Sequence, residues 1–257
     1  VNDAPSLSQA DVGISVNTAA SIAKEASDII ILKQSLRVVY DGVMEGRKVY
    51  GNIIKYMKMA LSADFGDVFS IMIASIFLPF LPLLPIQMLI QDFIYDFSQI
   101  GIPYDNVDDD FLSKPRKWDT KGISRFMKVM GITSSLIDVL SFIIFWYLLG
   151  YNSLSTQAYF QTAWFVTCLA TELMIIYNVR TSKNAFISSA SSKLNFLTMI
   201  SFILTLFAPI LLSRVASFNF RILPPIFYLY LIILMIFYFG IVSVIKKVYI
   251  KKYNEWL

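Results

Sequence analysis

Two pairs of aspartates sit inside strongly apolar runs: Asp64 and Asp67 in MALSADFGDVFSIMIASIFLPFL, Asp92 and Asp96 in LPIQMLIQDFIYDFSQIGIP. A carboxylate at mid-bilayer costs roughly 2.5–3.5 kcal/mol on an insertion scale, so four cost roughly 10–14 kcal/mol unless something neutralises them. Neither run holds a Lys, Arg or His that could do so. The neutraliser these residues call for is a cation from outside the chain, helped by protons. The i,i+3 spacing of Asp64 and Asp67 and the i,i+4 spacing of Asp92 and Asp96 put each pair on one helix face. Oxygen ligands arranged this way suit a hard cation such as Mg2+ or Ca2+. The residues describe a membrane protein that handles cations.

The elements that carry these acids must be membrane helices. Of 257 residues 56% are hydrophobic, with 21 Phe, 14 Tyr and a mean hydropathy of +0.62. Six spans are predicted, at about 61–81, 83–103, 129–150, 158–179, 194–213 and 222–245, so the expected fold is an all-α transmembrane helical bundle. The short Pro79–Pro85 connection makes the first two spans neighbours, which lets both aspartate pairs meet at similar depth. Prolines and Gly101 favour an unwound segment in the second span, which would free carbonyls as further ligands. The single cysteine, Cys168, rules out an intramolecular disulfide, and the absence of histidine removes a His/Cys zinc or copper site. No signal-peptide pattern opens the chain.

The basic residues orient the bundle. Twenty of the 22 Lys and Arg fall before the first span, between spans two and three, between four and five, or in the tail; only Arg214 and Arg221 fall on the other side. Both ends are therefore expected in the cytoplasm. Six of the 18 acids lie in predicted spans, namely the four above plus Asp138 and Glu172, which leaves the cytoplasmic side at +8. Such a face suits anionic lipid headgroups, and no aromatic stacking groove points to nucleic acid. The loop Lys114–Lys121 reads as a positive-inside determinant, and Tyr249, Tyr253 and Trp256 as an interfacial aromatic belt.

Residues 1–60 read differently. DVGISV and DIIIL are short buried strands around a helical stretch, TAASIAKEAS. From Leu36 the apolar spacing becomes helical and continues into the first span, a helix of well over ~50 Å. Two strands and one helix are below the size of an independent core. The chain opens on VNDAPSL without an initiating methionine, and it is expected to continue a longer polypeptide.

Several segments carry a resemblance. Val1-Asn2-Asp3-Ala4-Pro5-Ser6-Leu7 resembles the end of the hinge motif of P-type ATPases. It is followed by Ala10-Asp11-Val12-Gly13-Ile14, Ala23-Lys24-Glu25-Ala26-Ser27-Asp28, Gly46-Arg47, Gly51-Asn52-Ile53-Ile54-Lys55-Tyr56 and Pro85-Ile86-Gln87-Met88-Leu89. Phe111 through Asp119, Thr133-Ser134-Ser135, Gln161 through Phe165, Arg180-Thr181, Lys251, Tyr253 and Trp256 are similar to the magnesium-transporting branch.

What this resemblance implies is an ATP-driven pump that cycles through a phosphorylated aspartate and moves Mg2+ into the cytoplasm across the plasma (inner) membrane. Residues 1–35 would be the end of a HAD-like phosphorylation domain, 36–60 a stalk helix and 61–257 the last six transmembrane spans. The partners implied are the preceding part of the same polypeptide, with its actuator, nucleotide-binding and phosphorylation domains and first four spans, and the lipid bilayer. The phosphorylated aspartate lies outside this chain, which alone should be inactive. Asn2 and Asp3 would support the phosphorylation site and its catalytic Mg2+, with ATP bound by the preceding domains. Asp64, Asp67, Asp92 and Asp96 match transported-ion positions, and Glu172 falls where the calcium pumps place a further ligand.

Blander readings stand beside these. Asn2-Asp3 is also a capping turn ahead of Pro5, Asp64 is near enough the cytoplasmic end to be merely hydrated, and Asp138, among serines, reads as a packing residue rather than a ligand. Five carboxylates over-charge a site for one Mg2+, where the magnesium branch carries some amides. A Ca2+ or other cation pump is the alternative, and a channel or scaffold subunit without ATP chemistry is a third reading.

Overall fold

The computed structural model describes residues 2–33 and 35–256; Val1, Gln34 and Leu257, including the first residue of the hinge-like motif, lie outside them. The chain divides into two compact units, 1–50 and 51–257.

In the first unit, α1 (Ala4–Gln9) carries Pro5 in its first turn, where a fixed φ and a missing N–H are tolerated. Strands β1 (Ile14–Val16) and β2 (Ile29–Ile31) pair in parallel, Ile14 opposite Ile29, with α2 (Ser21–Glu25) as the crossover. Gly13 allows a close approach here, since a Cβ would stand 2.6 Å from the Leu7 carbonyl oxygen. Its N–H donates to Asp28 Oδ2 at 2.8 Å, which ties the DVGI and SD segments together.

Helix α3 (Leu36–Phe77) begins in the first unit and ends in the second. The second unit also holds α4 (Pro85–Gln99), α5 (Asp109–Leu112), α6 (Thr120–Tyr147), α7 (Gln157–Val179), α8 (Ser192–Leu212) and α9 (Pro225–Tyr253). It is an all-α membrane bundle: α3, α6, α7, α8 and α9 are each long and apolar enough to cross a bilayer. The predicted second span, 83–103, contains a shorter helix. With 15 residues α4 is about 22 Å long, and the chain leaves it through a 3-10 turn at Ile102–Tyr104. Pro85 sets its start, and three prolines in 79–85 keep the preceding segment out of a helix. The first predicted span likewise ends early, at Phe77, ahead of Pro79.

Helix α7 is the centre of the bundle: 83% of its apolar window is buried, against 22% for α3 and for α9. Phe160, Trp164, Phe165 and Leu169 project from it into a core shared with Phe142, Phe145, Phe220 and Phe227. Rings there meet edge-on, as Phe142 does with Trp164 at 5.0 Å and Phe165 with Phe220 at 4.9 Å.

After α9, Asn254 turns the chain in the left-handed region at φ 50°, a conformation asparagine tolerates. That turn folds Glu255 and Trp256 back onto the bundle. Trp256 is only 2% exposed, donates its indole N–H to Val179 O at 3.0 Å and packs edge-on against Phe126. Tyr249 is buried as well, so Tyr249 and Trp256 are core residues rather than the expected interfacial belt. Lys58 completes the clasp, donating to Trp256 O at 2.7 Å and to Glu255 Oε1 at 3.1 Å.

Candidate ion-binding site

Small residues bring α3 against α6 one residue ahead of Asp67. A Cβ on Gly66 would collide with Ser134 Oγ, and one on Gly131 would lie 2.6 Å from Phe65 Cδ1. Ser135 Oγ donates to Gly66 O at 2.9 Å across this crossing. Backbones in apolar surroundings approach this closely only where side chains are absent or small. The crossing fixes the height and rotation of α3 at its aspartates.

Asp67 faces inward to α4 and α7. Gln91 Nε2 donates to Asp67 Oδ2 at 2.8 Å, and the Cys168 thiol donates to Asp67 Oδ1 at 3.2 Å. Glu172, one turn after Cys168, shares its face, and the ligand atoms of Asp67, Cys168 and Glu172 all lie within 4.8 Å of one another. No hydrogen bond to Glu172 is seen among the described residues. A cavity of about 30 Å3 lies beside it, lined by Ser62, Tyr95, Ser134 and Tyr238 and reaching Lys58. It has room for about one water molecule.

Asp64, Asp92 and Asp96 are exposed on the surface of this chain. Asp64 and Asp92 lie within electrostatic reach of each other and of Asp96. Asp67 and Glu172 converge inside, and Asp64 and Asp92, though exposed, remain within electrostatic reach of both. A hydrogen bond from Gln91 to Asp67 joins the two aspartate-bearing helices. Ion pairs among the described residues involve Asp41, Glu45, Asp105 and Glu255, and none takes in these five carboxylates.

Asp138 is buried with two donors, Ser70 Oγ at 2.7 Å and Trp164 Nε1 at 3.1 Å. The serines of its own helix turn elsewhere: Ser135 Oγ donates to Gly66 O and Gly131 O, and Ser141 Oγ to Ile137 O. Asp138 thus links α3, α6 and α7. In the first unit, Asn2 and Asp3 are exposed in a turn, with Asp3 at the α1 cap position but making no side-chain capping bond.

Gln91 and Cys168 escaped the sequence reading of the site. A signal for Cys168 existed, since it precedes Glu172 by four residues and so shares its helix face. Gln91 had none: it adjoins Asp92 in sequence but projects from a different side of α4.

A second centre lies at the loop end of the bundle. Asp105 Oδ2 accepts from Lys55 Nζ and from Arg180 Nε, both at 2.8 Å, and Asp105 Oδ1 accepts from Ser191 N at 3.1 Å. All three charged side chains are almost fully buried. Nearby, Asp108 accepts from Thr181 Oγ1 at 2.6 Å, Ser188 Oγ at 3.2 Å and Ser182 N at 3.2 Å. Burial alone would raise its pKa, but these donors outweigh it and hold the carboxyl below its ordinary 3.8.

Three helices of the bundle thus bring two carboxylates, a thiol and an amide together, a donor set that could hold a metal ion. Residues 80–248 match the family described as "Cation transporting ATPase, C-terminus", and the chain belongs to that family. Among its relatives, the "Magnesium-transporting ATPase, P-type 1" of Salmonella typhimurium is 43% identical over 100% of this chain, and that of Escherichia coli K12 is 42% identical over 99%. A "Calcium-transporting ATPase" of Bacillus subtilis is 28% identical over 72% of the chain. The chain spans 28% of the length of the two magnesium-transporting relatives and 21% of the calcium-transporting one.

Proposed function

We propose that this chain is the membrane part of an ATP-driven P-type pump that carries Mg2+ into the cytoplasm. The observation that carries the reading is identity of 42–43% along the whole chain to proteins named as magnesium-transporting ATPases. ATP binding and the phosphorylated aspartate belong to the rest of a longer polypeptide, with its actuator and nucleotide-binding domains and first four spans. Asn2 and Asp3 support the phosphorylation site and its Mg2+. Asp64, Asp67, Asp92, Asp96 and Glu172 bind the transported ion. The exposed face of Asp64, Asp92 and Asp96 suits packing by further spans, which would close the site around the ion. Both ends of the chain face the cytoplasm, and the bilayer is the plasma (inner) membrane.

Transport proceeds by alternating access. Phosphorylation bends the stalk part of α3, which is continuous with Asp64 and Asp67, and so changes their distance from Asp92 and Asp96. Affinity then differs between the two states, which is what drives vectorial release. A second reading, a Ca2+ pump, is favoured by the number of carboxylates, since Ca2+ takes six to eight oxygens where Mg2+ keeps its waters.

The test uses the full-length polypeptide in liposomes with ATP at the soluble-domain side and ion-sensitive dyes for Mg2+ and Ca2+. Flux of Mg2+ toward that side, lost in Asp96→Asn with membrane insertion kept, is the expected result. Flux of Ca2+ away from that side would establish the second reading, and Mg2+ flux undiminished in Asp96→Asn would remove Asp96 from the site.

A further inference from the structure

We propose that Asp67, Gln91, Cys168 and Glu172 form a thiol-containing site for a borderline or soft divalent cation of the Zn2+ and Cd2+ class. The inference rests on the pump reading only in placing this site on the transport path; its geometry stands by itself.

Three helices supply the donors: α3 gives Asp67, α4 gives Gln91, and α7 gives Cys168 and Glu172. Two carboxylates and a sulfur within 4.8 Å of one another are close enough to share one ion. Oxygen ligands alone suit Mg2+, but a thiolate among them shifts preference toward softer metals, and four mixed donors suit tetrahedral zinc.

Gln91 supplies the independent sign of a ligand. It is 3% exposed, and its Nε2 is aimed into the cluster, 2.8 Å from Asp67 Oδ2 and 3.4 Å from Cys168 Sγ. Its Oε1 is buried without a partner. An unpaired buried carbonyl costs about 1–3 kcal/mol. Rotating the amide by half a turn about its last bond exchanges the two ends and brings the oxygen to face Asp67 and Cys168. An oxygen there is repelled by the carboxylate unless a cation lies between them. Gln91 therefore bridges Asp67 and Cys168 with its N–H in one setting and offers its carbonyl to a cation in the other.

On binding, the S–H bond of Cys168 breaks, a sulfur–metal bond forms, and the thiol proton leaves to water. The remaining oxygens of Asp67 and Glu172 bring negative charge that no lysine or arginine balances in the ion pairs described above. This is the charge a divalent cation compensates.

Cys168 is the sole cysteine of this sequence, and comparison of the parent with Cys168→Ser isolates its sulfur–metal signal. The full-length polypeptide in detergent is titrated with Cd2+ while the ultraviolet thiolate-to-cadmium charge-transfer band is followed. We expect the part of the band that Cys168→Ser removes to saturate at one equivalent and to shift to about tenfold or more higher Cd2+ in Gln91→Leu. Zn2+ should displace Cd2+, and Mg2+ in equal amount should not. Circular dichroism confirms that each variant stays helical. No Cys168-dependent band in helical parent protein, or an unchanged Cd2+ midpoint in Gln91→Leu, overturns the site. Magnesium flux without a cadmium band would defeat this inference and leave the pump reading standing. A cadmium band without ATP-driven flux would do the reverse.

Discussion

Asp105 and Asp67 are the same residue type in the same bundle, and the fold treats them in opposite ways. Asp105 is buried between Lys55 and Arg180 with a backbone N–H on its other oxygen. Asp67 has a neutral amide and a thiol as its donors, with Glu172 beside it. Asp105 finds its counter-charges within the chain, whereas the donors to Asp67 are neutral. The difference is what separates a joint from the binding site proposed at Asp67.

The sharpest way to break this contrast is to remove each carboxylate in turn. Asp105→Ala leaves two buried cations unpaired and should cost about 3–5 kcal/mol, seen as a collapse of the thermal melting temperature in detergent. Asp67→Asn removes no cation partner and relieves repulsion from Glu172, so its melting temperature should not fall. A larger loss for Asp67→Asn than for Asp105→Ala would invert the comparison.

A smaller effect sharpens the role of the crossing beneath Asp67. Gly66→Val forces a side chain into Ser134 and should destabilise by about 1–3 kcal/mol. Gly42→Val, on the same helix with open space around it, is the control and should not destabilise. Equal losses in the two melts would mean that close packing at Gly66 carries no weight.

The smallest effect concerns acid. The Asp108 carboxyl is held below 3.8 in the folded chain, so the unfolded chain binds the more protons between that lowered value and 3.8. Its contribution is complete above pH 3.8 and is lost as pH falls through the lowered value. Asp108→Asn should be less stable than the parent near neutrality and should close the gap below pH 3.8. Parallel melting curves down to strong acid would refute that assignment.

Much of the fold was legible because apolar length and charge asymmetry are local properties. The bundle, the long α3 helix and the aspartates within it all follow from windows of twenty or so residues. Helix α4 was harder, since hydropathy continues past Gln99 while the backbone stops helical pairing there. The tail misled for a related reason: aromatic residues at a helix end suit an interface, and only the left-handed turn at Asn254 returns Trp256 to the core.

The sequence by itself determined that this is a multi-pass membrane protein with carboxylates inside its apolar segments, because apolar length and charge are read directly from the residues. It also carried the family, through motifs spread along the chain and confirmed by the match over residues 80–248. Tertiary structure decided which acids face one another. Asp67 joins Glu172 and Cys168, while Asp64, Asp92 and Asp96 stay exposed, and Gln91 enters the site from a position no spacing rule marks. The reason is geometric. Helical periodicity fixes which residues share a face, but packing between helices, such as the α3–α6 crossing at Gly66 and Gly131, fixes the rotation that turns each face toward its neighbours.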